Sequence, residues 1–259
     1  GVVSGALYGG GVGAWVTGAA TYSIDLDAMA EAVYPTLPEW ALESATQYLK
    51  FLYEAPAKKY AKRIEKGMPV EDAGMLLDQE QEKKRLGLAP KVFVACDAIK
   101  RLWRRAHPEI SSWWKELEDC FRLAFANKGE TFECRKVKMR SDGGWVRIAL
   151  PSGRCLCYPS VAIGKRVKDP DPAVDEELLR GDEISYAGFS QYTRQWGRVG
   201  TYGGKLFENI VQAIACDQLA YPMFEIEEQG YPIIIHVHDE IVCETPEEPQ
   251  YTADALAEM

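Results

Sequence analysis

Tyr231-Pro-Ile-Ile-Ile-His-Val-His-Asp-Glu-Ile-Val-Cys-Glu244 is the stretch from which the fold is read. Two runs rich in Ile and Val flank His238-Asp239, and such side chains favour the pleated, half-buried surface of a strand. The pattern predicts an antiparallel hairpin with a tight turn. Asp239 then stands at the tip, with His238 and Glu240 on the flanking positions. Turn chemistry alone accounts for many acidic residues at such places, but Asn-Gly or Asp-Gly would serve a tight turn better. Two carboxylates and an imidazole in succession between apolar strands ask for a further reason. Hard oxygen ligands on a rigid hairpin suit Mg²⁺, which takes one or two protein carboxylates and completes its shell with phosphate oxygens and water.

Working outward from the hairpin, Gly204 to about Gln229 reads as one long helix bent at Pro222. At about 100° per residue, Lys205, Glu208 or Asn209, Gln212 and Cys216 share one stripe. Leu206, Ile210, Ala213, Ile214 and Phe224 form another, the one expected to be buried. A polar stripe is commonly the wet side of a helix, yet Gln and Asn also hydrogen-bond base edges in a minor groove. Further back, Thr131 to Val137 and Gly144 to Leu150 alternate in polarity. The turn Leu150-Pro-Ser-Gly-Arg154 then leads into Cys155-Leu-Cys-Tyr158. These read as short antiparallel strands, and residues 165–182, rich in Lys, Asp and Pro, as a loop.

The first part of the chain is helical in texture. Residues 2–8 form a small, apolar helix end closed by Gly9, followed by a short helix around 12–20. A third helix follows Ser23, with Asp25 and Asp27 in its early turns, and a fourth runs from Thr36 to about Tyr53. Residues 58–91 are charged and helix-prone, the signature of a solvated face. From Val92 to Phe125 apolar residues recur at helical spacing, broken at His107-Pro108, where Pro108 opens the second helix. Lys100, Arg101, Arg104 and Arg105 precede that break, as a solvated face or as a phosphate-facing surface. The fold class is α+β: a helical part, then a part with a small antiparallel sheet and long helices.

With 259 residues, 47% apolar and 27% charged, the chain carries enough apolar surface to order a core, so disorder is excluded. A net charge of −9 excludes a uniformly basic nucleic-acid coat but not a locally basic cleft. No run approaches the roughly 18 apolar residues of a membrane span. The opening Gly1 to Tyr8 lacks the basic flank of a signal peptide and reads as a chain beginning inside a helix. Seven scattered cysteines without a C-x-x-C point to reduced thiols and a cytoplasmic setting. Cys155 and Cys157 lack a second ligand pair and read as ordinary strand residues. Tyr8-Gly-Gly-Gly-Val-Gly13 has no strand before it and no Lys-Ser or Lys-Thr after it, so it is not a phosphate loop. It ends a helix and leaves Tyr8 where a base could stack.

Taken in order, these features resemble the C-terminal part of family A DNA polymerases, most closely the phage-type branch. Leu7-Tyr-Gly-Gly-Gly-Val-Gly-Ala-Trp15 resembles the end of that family's motif B helix. Trp103-Arg-Arg-Ala-His-Pro108 with Trp113-Trp114 is similar to its lead-in to the palm. Leu150 to Arg154 and Thr201-Tyr-Gly-Gly-Lys-Leu-Phe-Glu-Asn209 have phage counterparts, and Val237-His-Asp-Glu240 resembles motif C. The resemblance implies a partial fingers domain over 1–106 and a partial palm over 107–259. It implies DNA-templated transfer of a dNTP to a primer 3′-hydroxyl by a two-metal mechanism, in a host-cell cytoplasm. Asp239 would bind the Mg²⁺ pair, His238 would lie at the primer terminus, and Glu240 would support the metals. Tyr8 would stack near the templating base and Gly9 would let the template approach. Gln212, Asn209 and Lys205 would meet the minor groove, and Arg154 would face the DNA.

The resemblance also implies what this sequence lacks. No Asp-x-Ser-x-x-Glu run, the pattern of the second metal carboxylate in motif A, occurs in it. The triphosphate-binding Lys of motif B would fall just before residue 1, and Cys216 stands where phage relatives often carry Arg. The expected partners are primer-template DNA, dNTP and an upstream segment bearing motif A, with no membrane. Alone the chain is expected to be inactive. Two alternatives stand beside this reading: a non-catalytic DNA-binding or assembly module with a polymerase-like fold, and a metal-dependent nuclease using His238-Asp239-Glu240.

Overall fold

The computed structural model describes residues 9–164, 182–190 and 193–258. The chain begins with helices α1 (Val12–Tyr22), α2 (Leu26–Val33), α3 (Glu39–Glu65), α4 (Val70–Lys84), α5 (Pro90–Ala106) and α6 (Pro108–Ala126). Asp25 caps α2, its carboxylate accepting the amides of Asp27 and Ala28 at 3.0 Å each. The expected stop near Tyr53 does not occur. Helix α3 runs on through Pro56 to Glu65. Leu49, Leu52 and Pro56 are all buried, and Arg63 and Lys59 pair with Glu80 of α4, so packing outweighs the backbone bond that Pro56 removes. Ala30, Ala41, Ala45, Phe93 and Val94 form the centre of this first core.

Most of the basic cluster before His107 is turned inward rather than forming a solvated face: Lys100 is buried, Arg101 and Arg104 are half-buried, and Arg105 alone is exposed. Lys100 and Asp97 are both fully buried and ion-paired at 2.6 Å, and Arg101 meets the other carboxylate oxygen at 2.6 Å. Both cations also lie against the Tyr48 ring. Arg104 stacks over Trp114 and donates to the Gly10 carbonyl at 3.3 Å, while Arg105 covers Trp40. Trp103 stacks between His107 and Trp114, which fixes the corner at which α5 gives way to α6.

A four-stranded antiparallel sheet follows in the order β1 (Thr131–Cys134), β2 (Val137–Asp142), β3 (Trp145–Ala149) and β4 (Cys155–Pro159). The run expected as one strand over 131–137 is split by a turn at Arg135, whose φ is 54°. Met139, Val146 and Ile148 point from this sheet onto Leu117 and Phe121 of α6, forming the second core. A second sheet, unforeseen in the sequence, joins β5 (Ala162–Gly164), β6 (Glu183–Ser190) and β7 (Gln195–Thr201). The expected loop over 165–182 lies, save its last residue, outside the described residues.

The long helix expected over 204–229 is two helices, α7 (Gly203–Ala220) and α8 (Met223–Glu228). Because the break falls at Tyr221-Pro222, Phe224 is not carried round onto the buried stripe and is 82% exposed. Leu206, Phe207 and Ile210 do pack into the second core. The chain closes with β8 (Ile233–Val237), β9 (Glu240–Cys243) and the short α9 (Ala253–Ala257). Among the described residues no helix is long and apolar enough to cross a membrane.

One contact sets where α7 lies. A Cβ on Gly203 would fall 1.8 Å from the Trp114 carbonyl oxygen, so the backbones of α6 and α7 touch there. The Gly203 amide donates to the Glu118 carboxylate at 3.2 Å, an anionic cap on the first turn of α7 supplied by α6. Helix propensity alone would favour alanine by about 1 kcal/mol. Here the clash wins, and Gly203→Ala is expected to destabilise the fold by roughly 2–4 kcal/mol in urea unfolding. An unchanged or raised midpoint would show that the two helices are not in contact.

Candidate functional site

The hairpin forms as its sequence predicts. Val237 pairs with Glu240, leaving His238 and Asp239 as a two-residue loop. His238 takes a φ of 54°, a left-handed conformation that a two-residue loop usually assigns to glycine or asparagine and that histidine tolerates better than most side chains. A register irregularity between Ile233 and Ile235 bulges the ribbon near its base, and Glu244 closes it by donating its amide to the Pro232 carbonyl at 3.0 Å.

His238, Asp239 and Glu240 are all exposed. Among the described residues, no hydrogen bond or ion pair engages the Asp239 or Glu240 carboxylate, and no group of three metal-ligating side chains comes together. Two neighbouring carboxylates open to solvent are the part of a Mg²⁺ shell that a protein usually gives, with the remaining positions left to phosphates, water or another segment. Ile235, Val237 and Val242 share one face of the ribbon with Glu240 and are 52%, 45% and 44% exposed. An isolated two-stranded ribbon is marginal in water, so this uncovered apolar face is a structural anomaly.

The helix stripe is held from below. Lys205, Asn209 and Gln212 follow one another at helical spacing on α7. Asn209 donates its amide to the Tyr158 hydroxyl at 2.9 Å, and burial drives that phenol's pKa well above its usual range. Gln212 is exposed and donates to Glu208 at 3.3 Å, whereas Lys205 is half-buried. Helix α8 links α7 to β8. Gly9 is buried with a φ of 79°, a conformation suited to glycine, while Tyr8 lies outside the described residues.

Arg154 does more than face outward. Its guanidinium donates to the Ala213 carbonyl at 3.0 Å and pairs closely with Asp217, whose other oxygen accepts the Ser152 hydroxyl at 2.6 Å. The turn Leu150–Arg154 is thereby clamped to the second half of α7. Asp217 is a residue that sequence reasoning missed, because its partners stand some sixty positions away and no local spacing reveals them.

Ser152 and then Arg154 hold the Asp217 carboxyl below its ordinary value near 3.8. The folded pKa is depressed, so the clamp contributes fully above that value and is lost as pH falls through the lowered one. Hydrogen exchange at the Gly153 amide, taken relative to the intrinsic rate at each pH, is expected to quicken on acidification below pH 3.8. Asp217→Asn should quicken it at neutral pH. Equal exchange in variant and parent would show that the turn is held by something else.

With this geometry in view, the chain is similar to a DNA polymerase of Bacillus phage SP02, 30% identical over 224 residues. The match covers 80% of this chain and 32% of that polymerase, so the chain spans about a third of the length of the curated relative. No family model and no solved structure matches it. Over most of its length, therefore, this chain is homologous to a phage DNA polymerase.

Proposed function

We propose that the chain is the fingers (1–106) and palm (107–259) portion of a family A, phage-type DNA-templated DNA polymerase. One observation carries the reading: a polymerase homologue presents Asp239 and Glu240, unpaired among the described residues, at the tip of a hairpin whose first loop residue is held left-handed. Such conformations persist where the surrounding structure over-determines them, often at functional sites. The reaction joins the primer 3′-hydroxyl oxygen to the α-phosphorus of a dNTP and releases pyrophosphate. Asp239 would hold Mg²⁺, with Glu240 beside it. When bound, that ion supplies Lewis-acid stabilisation of the attacking and leaving oxygens.

The chain's own residues orient the strands. Gln212, with Asn209 and Lys205 behind it on α7, would check the minor-groove edge of the primer end. His238 would lie against the primer terminus, and Tyr8 and Gly9 would receive the templating base. Arg154, through Asp217 and Ala213, would keep the stripe at a fixed height above the sheet. The second metal carboxylate would come from an upstream segment, whose strand would cover Ile235, Val237 and Val242. That the described residues bring no third ligand to the tip favours the alternative, a non-catalytic DNA-binding module, wherever such a segment is not supplied.

The experiment is primer extension by the chain, alone and mixed with a polymerase segment bearing a second metal-binding Asp. Extension is expected only in the mixture and only with Mg²⁺. Asp239→Ala should lower its rate by about a thousandfold, the equivalent of several kcal/mol of lost transition-state stabilisation, with DNA affinity unchanged. Full activity in that variant would refute the assignment, and DNA binding without extension in any mixture would establish the module instead. Gln212→Ala should raise the KM for primer-template roughly fivefold, as for one lost hydrogen bond of about 1 kcal/mol. An unchanged KM would remove Gln212 from the groove.

A further inference from the structure

The hairpin β6–β7 places two large rings opposite one another in register, Phe189 and Trp196. They are 58% and 70% exposed, on a sheet whose other face is firmly seated. There the Tyr186 ring lies so close over Gly188 that a Cβ would fall 2.8 Å from it, and the same ring meets Tyr158 edge-on at 5.0 Å. By strand alternation the two exposed rings point the opposite way, and Arg198, paired with Ala187 two positions along, lies on their face. The Arg198 guanidinium is immobilised by the Ser160 carbonyl and by the Ser185 carbonyl and hydroxyl, the latter two at 2.8 and 2.7 Å.

Charge on this hairpin runs against that of the whole chain. Between Glu183 and Glu208 the sequence holds no carboxylate but has Arg194 and Arg198 on the hairpin and Lys205 just beyond it on α7, in a protein of net charge −9. Among the described residues of the hairpin, the neighbours of the rings are Ala187, Ser190, Gln195 and Gly197, none of them an aliphatic side chain larger than alanine that would extend an apolar seat. Flat faces beside fixed positive charge suit stacked bases on a phosphate backbone rather than a folded protein surface.

We propose that Phe189 and Trp196 form a stacking platform for single-stranded DNA, with Arg198 as the fixed charge that draws in its backbone. This deepens the polymerase reading, since such an enzyme must handle an unpaired strand, but the platform lies on a different sheet from the hairpin tip. Its test is the affinity of the protein for fluorescein-labelled oligo(dT), read by anisotropy without dNTP or Mg²⁺. Trp196→Leu and Phe189→Leu should each weaken binding about tenfold, the effect of one lost base–aromatic contact. Trp196→Phe should restore most of it. Both positions are exposed, so circular dichroism and the melting temperature should not move.

Leucine keeps the patch apolar, so a surface that docks protein would bind oligo(dT) no worse in the leucine variants. That outcome, or absence of oligo(dT) binding by the parent, overturns the platform. A recessed-primer duplex with a long 5′ template overhang and a nicked duplex with a displaced flap separate the sources of the strand. The platform predicts that one of them, but not blunt duplex, gains affinity through the rings. Asp239→Ala should leave oligo(dT) binding intact. Loss of extension in that variant with the ring effect absent would fail the platform alone, and the ring effect without extension in any mixture would fail the polymerase reading alone.

Discussion

The backbone contact between Gly203 and Trp114 is the constraint on which the second half of the molecule rests. Without a side chain at 203, the first turn of α7 settles against the carbonyl of α6, and Glu118 caps it from the same helix. Everything that α7 carries is then indexed from that point. Leu206 and Ile210 enter the core, Asn209 reaches Tyr158, and Asp217 arrives where the Leu150–Arg154 turn can seize it. Helix α7 is thus tied at three heights, one by a hydrogen bond to β4 and one by hydrogen bonds to the turn between β3 and β4. A polar side chain on such a frame has already given up much of the freedom that binding would otherwise have to remove.

Charge in this protein is sorted by depth rather than by sequence. Lys100, Arg101, Arg104 and Arg105 look like a basic face when read along the chain, yet an internal carboxylate and aromatic rings absorb them. Removing ions from water is costly unless each finds close partners, and Asp97 with Tyr48 provides them. Arg198 of β7 and Arg194 beside it stay exposed instead, in a segment free of acids. The anionic excess of the whole chain therefore says little about which strand or phosphate a given face would meet.

Legibility followed the range of the interactions. The hairpin at 231–244 and the break at His107-Pro108 could be read, because Ile and Val runs and a proline act on their immediate neighbours. The α+β layout followed from those elements. The split at Arg135 could not be read, since no Gly, Pro or Asn announces it, and the β6–β7 pair was hidden because Gly188 and Gly197 interrupt the alternation. Phe224 was misassigned by carrying one helical phase across Pro222. The burial of Lys100 had a signal, Asp97 one turn earlier, whereas the Arg154–Asp217 clamp had none within local reach. At the candidate site, the residues at the tip were legible, but the openness of the ribbon beneath them was not.

The ribbon's protection is confined to its ends. Pro232 and Glu244 guard the base and Asp239-Glu240 the tip, which is how natural sequences place gatekeepers around a segment prone to pair with itself. Among the described residues nothing comparable guards its flanks, where Ile234, Ile235 and Val242 meet water. Its open edges are the kind of backbone template to which a further extended strand can add.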